Sequence, residues 1–347
     1  MTERGVDIIP FYSKPFFRVI FIKMLRFYPN GEKKTKLDST SGVRILSRKI
    51  KVITLLISSL YFVLYCYSSS FANENSLLIS PEQLSHIPFD QRVVVDTRSS
   101  LKFLIGHIPG AISLPDWWKF THNVDGVKGI LKTDGRFITK ILAPLGFSPK
   151  KHIIIYGEPN DPWRTDGRFF WMFEYYGFPK VSLLDGDLTT WEKEGLKVEH
   201  GSQNSSANSE SLLKTINLNP NYIADKYLIK NEILSSNTII IDNRTRKEFD
   251  GATPYGSPRS GHIPNAVSIH WPKFFQNDGT LKSRDDLQLV LDQNKIHHKQ
   301  KIIVYCTGGV RSAMAYFVFR YLGYEVRNYD GSWWDWSRSN FPVEQTE

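Results

Sequence analysis

Cysteine is nearly missing. The 347-residue chain holds two, Cys66 and Cys306, which excludes a disulfide framework as the source of stability. Metal-ligand spacing is missing too. The nine histidines are scattered, and the one adjacent pair, His297-His298, reads as exposed loop. No metal and no other cofactor is expected. A net charge is missing from most of the chain, despite a formal total of +9. Residues 1–72 carry twelve Lys and Arg against four Asp and Glu, whereas 73–347 carry thirty-two against thirty-one. The basic surplus therefore belongs to a leader, and it excludes nucleic acid as a partner of the body of the chain.

Long apolar runs are missing with one exception. Val52–Tyr67 is 16 residues without a charge, preceded by Arg48, Lys49 and Lys51 and followed by Ser70-Phe71-Ala72. A basic flank, an apolar stretch and small residues at the exit form a secretory signal pattern, with cleavage expected after Ala72. The run falls short of the about 20 residues that span a bilayer. The expectation is an exported protein, periplasmic or secreted. The alternative is a retained membrane anchor through 52–67, and Met24 offers an internal alternative start. Once Cys66 leaves with the signal, Cys306 is the single thiol, and an unpaired cysteine in an exported protein is reactive or intermolecular.

What is present is repetition. "VVVDTR" at 93–98 returns as "IIIDNR" at 239–244, "GHIPGAISLP" at 106–115 as "GHIPNAVSIH" at 261–270, "HIIIYGEP" at 152–159 as "KIIVYCTG" at 301–308, and "LLDGDLTTW" at 183–191 as "NYDGSWWDW" at 328–336. The offsets of 146, 155, 149 and 145 residues keep the order, so the chain contains a duplicated domain. The expected organisation is a leader over 1–72, a first copy over 73–199, a polar Ser- and Asn-rich linker over 200–214 and a second copy over 215–347. In each copy, short continuous apolar strands alternate with a polar, helical stretch and a helix. That pattern predicts an α/β fold with a buried, mostly parallel sheet, whose ligands bind at the carboxyl ends of the strands.

Cys306 stands at such an end, in "KIIVYCTGGVRSAMAYF". Gly308 and Gly309 permit a tight, partly left-handed loop, which can turn the backbone N–H groups of Thr307, Gly308, Gly309, Val310 and Arg311 into an anion nest. The helix starting near Arg311 and Ser312 adds the positive end of its dipole, and Arg311 adds a permanent charge. All three favour thiolate over thiol and suit the sulfur to attack an anionic substrate.

Asp-x-Arg after the first strand, Gly-His-Ile-Pro-x-Ala, Cys-x-x-Gly-x-Arg-Ser after the third and Asp-Gly before a Trp resemble the rhodanese family. The layout is similar to tandem-domain thiosulfate and 3-mercaptopyruvate sulfurtransferases over about residues 76–347. The resemblance implies two rhodanese-like domains, of which only the second carries sulfur, because Gly157 stands where Cys306 would be in the first. It implies double displacement. Cys306 takes sulfane sulfur from a small anionic donor such as thiosulfate, then passes it to cyanide or an external thiol. Thr307 to Arg311 would bind the substrate, with Arg244 and Arg259 as further candidates. A monomer is compatible with all of this. Asp242 with Arg244, and His262, have counterparts in Asp96, Arg98 and His107 of the thiol-free copy, which favours a structural part for them. Trp271, Trp333 and Trp334 read as core that could also wall the pocket.

One departure bears on the donor. Four residues beyond Arg244, where mercaptopyruvate and animal-type thiosulfate enzymes place a substrate-binding arginine, this chain has Glu248. A carboxylate there is expected to repel an anionic donor, with Arg246 or Arg259 as compensation. The loop also lacks the serine and threonine of the mercaptopyruvate type, which favours thiosulfate or another persulfide donor. Two rival functions remain: a persulfide carrier without turnover, and a cysteine-dependent phosphatase. The phosphatases of this kind have five residues between Cys and Arg, and this loop has four.

Overall fold

The computed structural model describes residues 76–202 and 216–346. The expected signal segment with Met24 and Cys66, and residues 203–214 of the expected linker, lie outside the described residues. The described residues belong to one compact unit.

The first copy supplies β1 (Leu78–Ile79), β2 (Arg92–Asp96), β3 (Ala111–Ser113), β4 (Thr121–Val124), β5 (Val127–Leu131), β6 (His152–Tyr156) and β7 (Val181–Leu184). The second supplies β8 (Ile223–Ala224), β9 (Thr238–Asp242), β10 (Val267–Ser268), β11 (Lys301–Tyr305) and β12 (Val326–Tyr329). Each copy builds a five-stranded parallel sheet, ordered β1-β7-β6-β2-β3 and β8-β12-β11-β9-β10. Both are α/β, as the sequence predicts. The central strands are buried along nearly their whole length, which is why they read as unbroken β-branched runs and not as alternating ones.

The polar stretch after β3 departs from expectation. It holds an antiparallel hairpin, β4 with β5, in register Val124↔Val127. Asp125 and Gly126 both take positive φ, 50° and 78°, the conformation of a tight two-residue hairpin turn for which Asp-Gly is suited. In the second copy the corresponding stretch has only an isolated bridge between Phe275 and Leu281, followed by the helix Arg284–Gln293.

The copies share a core. The helices Thr165–Tyr175 and Arg311–Tyr321 bury almost every residue and pack on each other. Gly167 lies so close that a Cβ there would sit 2.6 Å from the Met314 Cα, and the Phe170 and Phe317 rings meet edge to face at 5.0 Å. One continuous apolar cluster runs through both copies, with a smaller cluster on the outer face of each sheet. The contact is reciprocal at its rim. Asp330 of the second copy accepts the Leu131 N–H at 2.8 Å, and Asp185 of the first accepts the Leu281 N–H at 3.3 Å.

Among the described residues no helix is long and apolar enough to cross a membrane, and no group of three or more His, Cys, Asp or Glu is placed to hold a metal ion.

Candidate active site

β11 ends at Tyr305 and the following helix begins at Arg311, so Cys306–Val310 forms the loop at the carboxyl edge of the sheet. In the first copy the same junction, Gly157–Arg164, is three residues longer. Glycine is obligatory twice in the short loop. A Cβ on Gly308 would lie 2.5 Å from the Trp334 ring. Gly309 has φ +75°, and a Cβ there would lie 2.5 Å from the Asp330 carbonyl. The base of the loop is tied down by Ser332, whose hydroxyl accepts the Cys306 N–H at 3.1 Å, and by the N–H groups of Trp333 and Trp334, which donate to the carbonyls of Cys306 and Thr307 at 3.0 and 2.9 Å.

Cys306 is 1% exposed, yet the surroundings of its sulfur are not aliphatic. Ser312 Oγ lies 3.6 Å from Sγ, and its hydroxyl donates to Asn328 Oδ1 at 2.6 Å. The backbone N–H groups of Thr307 to Arg311 donate to no oxygen among the described residues. Burial alone pushes the thiol up. The Arg311 charge, the N–H and hydroxyl of Ser312 and the Gly308 N–H outweigh it, so the thiol lies below its ordinary value. The Gly308 and Ser312 N–H groups are thus the backbone donors that favour the anion.

Arg311 is anchored from a different element. Thr245-Arg246-Lys247-Glu248 is a capping box: the Thr245 hydroxyl accepts the Glu248 N–H at 3.2 Å and Glu248 Oε2 accepts the Thr245 N–H at 3.1 Å. That turn aims the Glu248 carboxylate at the loop. It takes Arg311 Nη1 and Nη2 at 2.8 and 2.7 Å and the Thr307 hydroxyl at 2.7 Å. Burial raises the Glu248 pKa, but Arg311, Thr307 and Thr245 lower it further, to about 2. The expected repulsion of an anionic donor by Glu248 is therefore corrected: its charge is neutralised in a buried bidentate pair. Trp163, from the first copy, and Tyr255 place their rings 5.6 Å from the Arg311 guanidinium.

The other arginines lie elsewhere. Arg244 is fully buried, with Nε and Nη2 on Asp242 and Nη2 also on the Gly261 carbonyl at 2.8 Å. Arg98 repeats this on Asp96 and the Gly106 carbonyl. Arg259 donates to the carbonyls of Trp336, Ser337 and Phe341, and Arg246 pairs with Asp250 at the surface. Arg244 and Arg259 brace the scaffold, a different use from the substrate contact expected of them, since each is anchored on protein oxygens. His107 and His262 behave as a pair as well. Each Nδ1 meets a backbone carbonyl, of Phe103 or Phe249, and each ring stacks on that phenylalanine. Trp271 and Trp333 are core, and Trp334 packs on the loop.

Sequence reasoning missed Ser332, Asn328, Trp163 and Tyr255. The serine of Arg311-Ser312 was legible as a helix start but not as a partner of the sulfur. Nothing in spacing alone brings Trp163 across from the other copy.

A fold of two parallel sheets with a cysteine in a Gly-Gly loop at the second defines the class, a tandem rhodanese architecture. The family model for the rhodanese-like domain matches residues 80–194 and 226–339, and the chain belongs to that family as a sulfurtransferase. It is 29% identical over 268 residues to a thiosulfate sulfurtransferase of Corynebacterium glutamicum, covering 74% of this chain and 85% of that one. It is also 29% identical over 271 residues to the sulfur carrier protein TtuD of Thermus thermophilus, covering 71% and 87%. The solved structure of SseA from Escherichia coli, described as a 3-mercaptopyruvate sulfotransferase with the rhodanese fold, superposes with a TM-score of 0.64 at 25% identity, covering 75% of this chain and 99% of that one.

Proposed function

We propose that the protein moves sulfane sulfur from thiosulfate through a persulfide on Cys306 to an external nucleophile. The Cys306 thiolate attacks the outer sulfur of the donor. An S–S bond to the enzyme forms as the S–S bond to the sulfonate breaks, and sulfite leaves with the electron pair. A cyanide carbon or an acceptor thiolate then attacks the outer persulfide sulfur, and the Cys306 thiolate departs. The amides of Thr307 to Arg311 hold the negative charge in both steps. The observation that carries this reading is the polar cradle around a sulfur that is otherwise shielded from water. Cys306 is the single cysteine of residues 73–347, so once Cys66 leaves with the leader an internal disulfide cannot resolve the persulfide and the acceptor comes from outside.

Intact mass after thiosulfate tests it. The protein gains one sulfur atom, loses it to cyanide as thiocyanate, and gains none as Cys306→Ser. An unchanged mass at saturating thiosulfate overturns the donor assignment.

A second reading has one observation behind it. Both terminal nitrogens of Arg311 are held by Glu248, which offsets the charge that would otherwise attract the dianionic donor. This favours a carrier loaded by a partner's persulfide. Stoichiometric loading from such a persulfide, with negligible steady-state turnover of thiosulfate, would select it.

A further inference from the structure

The copy without a thiol contributes a side chain to the loop that has one. Arg168 lies in the Thr165–Tyr175 helix and is fully buried. Its Nη1 donates to the Gly309 carbonyl at 3.0 Å and pairs with Asp330 Oδ1 at 2.8 Å, while Nη2 donates to the Gly129 carbonyl, in β5, at 2.9 Å. The rings of Trp171 and Trp117 lie 4.7 and 5.3 Å from the guanidinium carbon, so the group is held on its faces as well as at its edge. The second oxygen of Asp330 accepts the Leu131 N–H. A guanidinium taken fully out of water is unfavourable unless it is paired, and the apolar helix contact already joins the copies without it. What distinguishes Arg168 is the atom it reaches.

The Gly309 carbonyl accepts from Arg168 on one side and from Asn328 Nδ2 at 3.1 Å on the other. The described residues contain no cis peptide, and a trans peptide holds C=O and N–H on opposite sides. Fixing the Gly309 oxygen toward Arg168 therefore fixes the Val310 N–H on the side away from it, and that N–H has no oxygen acceptor among the described residues. Asn328 continues the path, because its Oδ1 lies 2.6 Å from the Ser312 hydroxyl, which itself touches Sγ. Arg168 is thus joined to the sulfur through Gly309, Asn328 and Ser312.

We propose that Arg168 is a positioning residue for sulfur transfer at Cys306: by holding the Gly309 carbonyl outward it aims the Val310 N–H, and with it the cradle, at the sulfur. The thiol-free copy then completes the active site of its neighbour. This rests on Cys306 being the thiol that carries sulfur, and it adds a residue to the site that no motif around the cysteine contains.

The test measures alkylation of Cys306 by iodoacetamide, a neutral reagent, as a function of pH in the full chain. Two variants are compared with wild type. Arg168→Lys keeps a cation opposite Asp330 but cannot reach Gly129, Gly309 and Asp330 together. Arg168→Met combined with Asp330→Asn removes the pair without leaving a lone buried charge. Both are expected to keep the near-ultraviolet circular dichroism of wild type. The alkylation midpoint should rise by about one pH unit, a roughly tenfold slower reaction at pH 7, and thiosulfate turnover should fall with it. Folded variants with the wild-type midpoint overturn the proposal. Loss of the near-ultraviolet signal in both also overturns it, since Arg168 would then be a folding element only. A moved midpoint in a protein whose wild type takes no sulfur from thiosulfate leaves the positioning intact and removes the donor assignment instead.

Discussion

Glu248 accepts from five donors: the Thr245 N–H and hydroxyl, the Thr307 hydroxyl and two nitrogens of Arg311. Its folded pKa of about 2 lies below the ordinary carboxylate value. A depressed pKa contributes stability above the unfolded value of about 4.3, and that contribution drains away as pH falls through the folded value. Glu248→Gln is expected to flatten the stability-versus-pH curve between about pH 4 and pH 2, read by urea unfolding at each pH. Glu248→Ala is harsher, because it strands the buried Arg311 charge. A loss of about 3–5 kcal/mol follows for such a broken pair, and the urea midpoint at neutral pH checks it. At Cys306 the expectation concerns rate. Iodoacetamide should react with a midpoint below the usual thiol value of about 8.5, because the cradle favours the anion.

At the scale of elements, Gly308 decides whether the loop can close under Trp334. Gly308→Ala places a methyl where the indole ring already lies, 2.5 Å away. Overpacking of this kind costs about 1–3 kcal/mol. The expected outcome is a modest fall in melting temperature with a loss of sulfur uptake from thiosulfate, measured by thermal unfolding beside intact mass. The elements were legible in the sequence wherever local chemistry dictates them. The strands ending in Asp96, Asp242, Tyr156 and Tyr305 announce themselves as apolar runs, and the loop at Cys306 by its glycines. The β4–β5 hairpin was also announced, by Asp125-Gly126, but a polar stretch hides a two-residue turn from a reading tuned to apolar periodicity. Glu248 shows the opposite limit. Its capping box with Thr245 is local and readable, whereas its pairing with Arg311 joins residues 63 positions apart. Only the sheet register, which sets Asp242 beside Tyr305, brings that pair together.

At the scale of the whole molecule, the continuous core across both copies predicts that the second copy does not stand alone. Residues 216–346 produced without the first copy would expose Phe317, Met314 and the rest of the Arg311–Tyr321 helix face, now buried against Thr165–Tyr175. An apolar face of that kind drives association. Aggregation in size-exclusion chromatography is the expected result, and a stable, active monomer would contradict it. The sequence also carries an expectation for the mature start. Amino-terminal sequencing of exported protein should begin at Asn73.

Arg168 sits in the half that has no cysteine and touches the loop that has one. In such a duplication one copy can do without a nucleophile, whereas the molecule cannot do without that copy. The mute repeat is then kept by selection acting on its sibling, and its helix should drift more slowly than its own vacant loop.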